Sequence, residues 1–499
     1  MPLSDPASRR AHLMSTVIPK LDPRPFVGGS FVDAAGPRTH RVLEPATERP
    51  LAEMPLADAG AVDAAVRAAR TAFDTGPWPR MTARERGTTL RRLADLIERD
   101  LEDLAILESA DTGKRLGGVR AWDIPHASAV YRYYADLAAG PADRELPPVG
   151  DVRAWTHREP VGVCAAIVPW NFPFPCISWK IAPALAAGCS VVVKSAERAP
   201  LSAQALARLA AEADFPPGVV NVVMGEGPVA GAALVADPRV DKVTFTGHVS
   251  TGRSIVRDSS SRLPHVTLEL GGKSPNVVFA DADLEAALAG TVDGMFSVQG
   301  QNCCAASRTF VEREIYDEFL GRLVTAAGAR RLGDPFDDAT EQGPQIDRAH
   351  FERIDGYVKR ALQAGARCAA GGAPSDLGGL YYAPTVVTGA TPDMEISRDE
   401  VFGPVGTVSP FEGLEEAVTA ANDTDYGLSA SVWTGDWGTA HEFASRVRTG
   451  TCWINCFGYF MEYAPWGGVK LSGLGRELGA EGLDEFLVTK TLFSTFGDT

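Results

Sequence analysis

The chain has 499 residues and a formal net charge of −16, so it exceeds one ordinary core, and its surface repels nucleic acid and anionic membrane. Its eight cysteines lack CxxC pairs and framework spacing, which argues against a disulfide scaffold or a bound metal and fits the reducing cytoplasm. There is no run of about 18 uncharged apolar residues and no apolar signal core in residues 1–20, so neither a membrane span nor a secretory signal is expected.

After a Pro-rich leader, residues 26–32 read as a small hairpin turning at Gly28 and Gly29. Val62, Ala65, Val66, Ala69 and Phe73 mark one helix face over 61–73, and further helical patterns cover 82–100 and continue to about residue 111. A helix over 122–137 carries Tyr131, Tyr133 and Tyr134, a cluster that reads as packing. Pro141, Pro147, Pro148 and Gly150 then break helix, and 152–159 alternates like a half-exposed strand suited to pairing across a subunit interface. From Val161, short apolar strands at 161–168, 190–193, 219–223, 240–245 and 266–270 alternate with helices, including 181–187, 201–213 and one from about 250. This is the pattern of a doubly wound, mostly parallel α/β sheet, with a ligand crevice at the C-terminal ends of its strands. A strand at 276–279 and a helix over 284–295, N-capped by Asp281 or Asp283, open a second α/β set with strands near 307–311, 405–410, 430–433 and 451–454. The segment from Glu485 reads as a terminal strand able to pair with the 150s.

The helix over 284–295 delivers Cys303 into a small, polar, glycine-bearing turn. A thiol with the ordinary pKa of about 8.5 is mostly protonated at neutral pH, so a nucleophilic Cys303 requires activation by its surroundings. Taken alone, Cys303 and Cys304 also describe small buried apolar residues. Two phosphate fingerprints fail. Gly225, Gly227 and Gly231 are misspaced for GxGxxG, and Gly271-Gly272-Lys273-Ser274 lacks the leading glycine of a P-loop. The turn from Phe245 to Ser250 either offers free backbone N–H groups to an anion or is an ordinary strand-to-helix turn. Lys194 and Glu197 follow an apolar strand, where the carboxylate can accept both hydroxyls of a ribose or form a surface ion pair. Asn171 sits between Pro169 and Pro173, in a stiffened loop that can fix an oxyanion donor or simply bond its own turn. Glu269 ends an apolar strand before two glycines. Burial there makes a carboxylate a better base, whereas an open face leaves it solvated.

Taken in this order, eight segments resemble the aldehyde dehydrogenase superfamily over essentially the whole chain. They are Glu159-Pro-Val-Gly162, Pro169-Trp-Asn-Phe-Pro173, Lys194 to Glu197, Phe245-Thr-Gly247, Leu268-Glu-Leu-Gly-Gly-Lys273, Gly300-Gln-Asn-Cys303, Glu400-Val-Phe-Gly-Pro404 and Pro465-Trp-Gly-Gly468. The resemblance implies an α/β fold of the aldehyde dehydrogenase type. A Rossmann-type NAD-binding domain would span 1–137 and 160–271, an α/β catalytic domain 272–471, and a small oligomerisation β-extension 138–159 and 485–499, within a homodimer or homotetramer. It also implies the hydrolytic reaction: an aldehyde oxidised to the carboxylic acid with NAD, or alternatively NADP, through a Cys303 thiohemiacetal and thioester. Asn171 and the Cys303 N–H would hold the oxyanion, Glu269 would activate water and help deprotonate the thiol, and Lys180 with Glu477 would relay the proton. Cofactor contacts are implied for Ile167, Pro169, Trp170, Lys194, Glu197, Gly227, Phe245, Thr246, Gly247, His248, Leu270, Gly271, Glu400 and Phe402. Phe172, Trp179, Phe296, Phe460 and Trp466 would line the aldehyde tunnel, which suits flat apolar aldehydes or cationic ones. The Pro465 motif resembles amino- and betaine-aldehyde members, and Glu462 would add a charge near the mouth. His248 departs from the family's usual serine, and Cys304 reads as packing. The rivals are a CoA-acylating dehydrogenase, disfavoured by the hydrolytic base Glu269, and a silent binding or structural protein, disfavoured by the complete set of reactive groups.

Overall fold

In the computed structural model, which describes residues 5–34, 36–138 and 143–495, five apolar strands form the parallel centre of an eight-stranded sheet. They are Val163–Ile167, Ser190–Ser195, Val220–Met224, Lys242–Gly247 and His265–Leu270, and most of their side chains are buried, as a sheet covered on both faces requires. From Val163–Ile167 the sheet winds outward through Ser190–Ser195 to Val220–Met224, then resumes on the opposite side with Lys242–Gly247 and His265–Leu270. The order therefore reverses between Val163–Ile167 and Lys242–Gly247, and a cavity opens beyond their C-terminal ends, where such sheets bind ligands. The expected hairpin, Phe26–Val27 with Ser30–Phe31, edges this sheet. Its turn is made by Gly28 and Gly29 at φ 64° and 89°, which side-chain-bearing residues seldom adopt.

The second sheet has seven strands, with Arg308–Glu312 between Val405–Phe411 and Pro275–Val278, and with Ser429–Trp433 and Thr451–Ile454 beyond. Helix Leu284–Phe296 is capped by Asp283, whose Oδ1 accepts from the Glu285 and Ala286 N–H groups at 3.1 Å. Asp281 accepts from Thr434 Oγ1 instead. The terminal strand Leu487–Thr495 pairs antiparallel with Val152–Pro160, from Leu487 against Pro160 to Thr495 against Val152, and Arg144–Val149 completes a three-stranded sheet.

Two local expectations need correction. The helix expected from residue 181 begins at Pro173 and runs to Ala187. Proline is tolerated in a first turn, whose N–H groups have no intrahelical partner, and all fifteen residues of this helix are buried, so it shows no polar face to reveal its period. The Pro-rich leader contains a helix, Pro6–Val17, whose Arg10 Nε reaches Glu44 at 2.7 Å. By contrast, Ala83–Arg99 follows its sequence signal closely: Thr82 and Glu85 form a reciprocal capping box. Pro141 and the remainder of 139–142, and the final residues 496–499, lie outside the described residues. Among the described residues, no helix is long and apolar enough to cross a membrane.

Candidate active site

A cavity of about 740 Å³ joins the two large sheets. Every residue named above for cofactor contact lines it, as do Cys303, Asn171, Glu269, Glu477, Phe172, Trp179, Phe460 and Trp466. Phe296 does not. Its fully buried ring packs with Met295, Val311 and Phe319 beside the second sheet, below Arg330, because the helix that ends there turns its apolar face to that sheet. Lys180 is also fully buried and approaches the cavity only through Glu477. Glu462 lies off the cavity wall, close enough to Tyr133 to help raise the pKa of that phenol.

The Cys303 turn is held in an uncommon conformation. Val298, Gln299 and Gly300 have φ of 51°, 57° and 70°, a left-handed run costing of order 1–3 kcal/mol per non-glycine residue. Buried glutamines maintain it: Gln299 Nε2 donates to the Gly113 carbonyl, and Gln301 Oε1 accepts from Ile346 N–H at 2.9 Å. Asn171 Nδ2 donates to the Gln301 carbonyl at 3.0 Å, tying the stiffened loop to the thiol turn and leaving its second N–H available. Cys303 is partly buried, with Sγ 3.9 Å from Asn302 Oδ1, whereas Cys304 is fully buried, with Sγ 3.2 Å from the same oxygen. The Cys304 thiol and then burial push the Cys303 pKa well up.

Glu269 is 4% exposed, and neither of its carboxylate oxygens has a hydrogen-bond partner among the described residues. Burial, followed by the charge of Glu477, raises its pKa well above the usual carboxylate range. Lys180 pairs with Glu477 and donates to Thr244 Oγ1 at 3.3 Å, so Thr244 joins a pair that the sequence had suggested without it.

At the far end, Lys194 Nζ lies 3.4 Å from Glu197 Oε2. Burial lowers the lysine's pKa against the pull of that carboxylate. His248 caps helix Val249–Ser259: its Nδ1 accepts from Ser250 N–H at 3.2 Å and lies 2.8 Å from Ser250 Oγ. Burial and then Arg353 lower the His248 pKa, which preserves that acceptor. Glu400 Oε1 accepts from Gly272 N–H at 3.0 Å, and burial pushes its pKa to about 7.

Sequence reasoning missed Trp122, Cys176, His350 and Arg353, which also line the cavity. Trp122 stacks on His126 at 4.8 Å, and His126 Nε2 accepts from Trp179 Nε1 at 2.9 Å, fixing the orientation of that indole. Burial holds the His126 pKa down at about 4, so it remains a neutral acceptor. Cys176 follows Phe172 by four residues and precedes Trp179 by three. This spacing marks one helix face once the true helix start is known.

A thiol, a fixed amide donor and an unpartnered carboxyl thus meet in one cavity with a crevice suited to a nucleotide. The model of the aldehyde dehydrogenase family matches residues 31–492. The human protein named aldehyde dehydrogenase, mitochondrial, is 45% identical over 469 residues, covering 94% of this chain and 91% of that one. Retinaldehyde dehydrogenase 3 of Mus musculus is 44% identical over 470 residues, covering 94% and 92%. Among solved structures, betaine aldehyde dehydrogenase from Staphylococcus aureus in complex with NAD+ superposes with a TM-score of 0.96 at 38% identity, covering 98% of both chains. A mutant of aldehyde dehydrogenase from Bacillus cereus superposes with a TM-score of 0.95 at 43% identity, covering 97% of this chain and 98% of that one. Fold, motifs and relatives agree, and this chain belongs to the aldehyde dehydrogenase family.

Proposed function

We propose that this protein oxidises an apolar aldehyde to the carboxylic acid with NAD. The observation that carries the reading is the meeting of Cys303, the anchored Asn171 amide and unpartnered Glu269 in one cavity. The residues present fit a dinucleotide. Space is open where a side chain would stand at Gly227, Thr246 Oγ1 is buried at the cavity wall without a partner among the described residues, and the Glu197 side chain is 34% exposed. Lys194 and Glu197 would hold the adenosine ribose, the N-terminus of Val249–Ser259 the pyrophosphate, and Glu400 the nicotinamide ribose. The Glu197 charge would repel a 2′-phosphate, which favours NAD over NADP. When bound, NAD supplies the acceptor for the hydrogen and two electrons that the aldehyde carbon gives up.

The chain's own residues do the rest. Cys303 gives up its proton to solvent water and its sulfur adds to the carbonyl carbon, forming a thiohemiacetal. The oxyanion takes the N–H of Asn171 that Gln301 does not occupy, together with the Cys303 backbone N–H. Oxidation leaves an acyl thioester on Cys303. Glu269, in the ionised form that burial makes a stronger base, then takes a proton from water as that water attacks the acyl carbon, and Glu477 with Lys180 lies next along the proton's path. Acid is released and the thiol restored.

Trp122, Phe172, Trp179, Phe460 and Trp466 give the aldehyde an aromatic passage, and the displacement of Glu462 from its wall favours neutral substrates over cationic ones. The first sheet and its helices serve as the cofactor domain and the second as the catalytic domain. The exposed edge of Leu487–Thr495, where Phe493 is 72% exposed, is the surface on which copies pair into a homodimer or homotetramer in the cytoplasm. A panel of hexanal and benzaldehyde against betaine aldehyde and an ω-aminoaldehyde, each with NAD and NADP and without CoA, tests the reading. Higher kcat/KM for the neutral pair with NAD is expected, and Cys303→Ala should abolish NADH production. Turnover retained by Cys303→Ala would end the mechanism.

A further inference from the structure

Behind the loop carrying Asn171 lies a set of buried charges that the reaction does not touch: Glu108 at 0% exposure, with Lys114 and Asp123 at 4%. Lys114 Nζ donates to Glu108 Oε1 at 2.7 Å and to Asp123. The same ammonium sits 4.5 Å from the centre of the Phe172 ring. Burial works to strip its proton, but Asp123 and Glu108 outweigh that effect and hold its pKa above the ordinary value. Burying three ionisable groups is costly, and apolar residues of similar volume commonly stabilise a core as well or better, so stability alone is a weak account of this cluster.

The second Glu108 oxygen accepts from Phe174 N–H at 3.0 Å and from Ser202 Oγ at 2.7 Å. Phe174 is a special donor. Helix Pro173–Ala187 opens Pro-Phe-Pro-Cys, so Pro173 and Pro175 have no N–H, and Cys176 N–H is already bonded to the Phe172 carbonyl at 3.0 Å. Phe174 therefore carries the one N–H of the first turn left without a helical partner, and Glu108 takes it. Asn171 is thus followed by a residue gripped through its ring and, two positions later, by one gripped through its backbone, both by the same ion cluster.

We propose that Lys114 is a positioning residue. With Glu108 it clamps residues 172–174, so that the Asn171 amide stays aimed at the oxyanion and the Phe172 ring stays in the passage wall. This rests on the reading of Asn171 as an oxyanion donor. A cation on an aromatic face and a charge-assisted bond to a backbone N–H are both directional, and a shift of about 1 Å in a catalytic donor can cost about 100-fold in rate.

The test is a double-mutant cycle in the full-length protein. Lys114→Met and the charge-balanced pair Glu108→Gln with Lys114→Met are each made with Asn171 intact and with Asn171→Ala. The balanced pair keeps an acceptor for Phe174 N–H and answers the question where the single variant does not fold. With Asn171 present, kcat/KM for acetaldehyde should fall about 10- to 100-fold, while KM for NAD and the rate of Cys303 alkylation by iodoacetamide stay unchanged. With Asn171→Ala, the same changes should cost less than about threefold. Equal losses in both backgrounds, or no loss in either, overturn the clamp. If Asn171→Ala alone leaves kcat/KM untouched, the oxyanion reading falls, and the clamp with it.

Discussion

Glu269→Gln separates the two halves of the reaction and tests the burial of the base at the same time. Gln fills the same space but cannot take a proton, so loss of a general base should lower steady-state turnover about 100- to 10,000-fold. Acylation needs Cys303 and Asn171 but no attacking water. Rapid mixing should therefore still show a burst of NADH, near one per site, followed by a nearly flat phase. Stability provides an independent measure. Below the ordinary carboxylate value of 4.5 the group is protonated in both the folded and unfolded states and favours neither. Above it the unfolded chain ionises while the buried carboxyl, without hydrogen-bond partners, holds its proton. The native protein then loses about 1.4 kcal/mol per pH unit until the pH passes the raised folded pKa. Gln carries no such loss. The Tm of Glu269→Gln should exceed that of the parent by a margin that widens as the pH rises above about 4.5, until the raised folded pKa is passed. A margin that does not change with pH, or full steady-state turnover in the variant, would refute the assignment of Glu269 as the buried base.

Other expectations can be checked more directly. Asn171→Ala should lower kcat/KM about 100- to 1000-fold, equivalent to about 2.7–4 kcal/mol of lost oxyanion stabilisation, with Cys303 alkylation unaffected; single-turnover kinetics checks this. Glu197→Gln should narrow the preference for NAD over NADP by relieving repulsion of the 2′-phosphate, read as the ratio of the two kcat/KM values. Thr82→Ala removes a capping box far from the cavity and should cost about 1 kcal/mol in chemical denaturation without changing kcat.

Where the sequence was informative, it was so for local reasons. Strands such as Val163–Ile167 and Val220–Met224 are short apolar runs bounded by glycine and proline, and buried parallel strands show little else. Cys303 and Asn171 stand in turns, and Glu269 at the end of a strand, where neighbouring prolines and glycines mark the approach of backbone and ligand. Other features depend on what packs against what. Phe296 is as aromatic as Phe460, and only the side that its helix turns to the second sheet removes it from the cavity. Trp122 and His126 reach the passage from a helix distant in sequence, and Glu108 and Lys114 reach residues 172–174 in the same way. The turn before Val249–Ser259 and the imidazole standing there in place of a hydroxyl are legible in the sequence, but the capping of the helix by that imidazole is not.

The early start of helix Pro173–Ala187 has a consequence for how this enzyme can diverge. One stiff rod sets the phase of three tasks: Asn171 lies just before its first turn, Cys176 and Trp179 face the passage, and Lys180 reaches Glu477 from another side. At about 100° of rotation per residue, gaining or losing a single residue between Asn171 and Lys180 would put the amide and the ammonium out of step. Side chains on the passage face can change one at a time while that phase is kept. New aldehyde preferences are therefore open to substitution at Cys176 or Trp179, whereas the interval between Asn171 and Lys180 is closed to insertion and deletion.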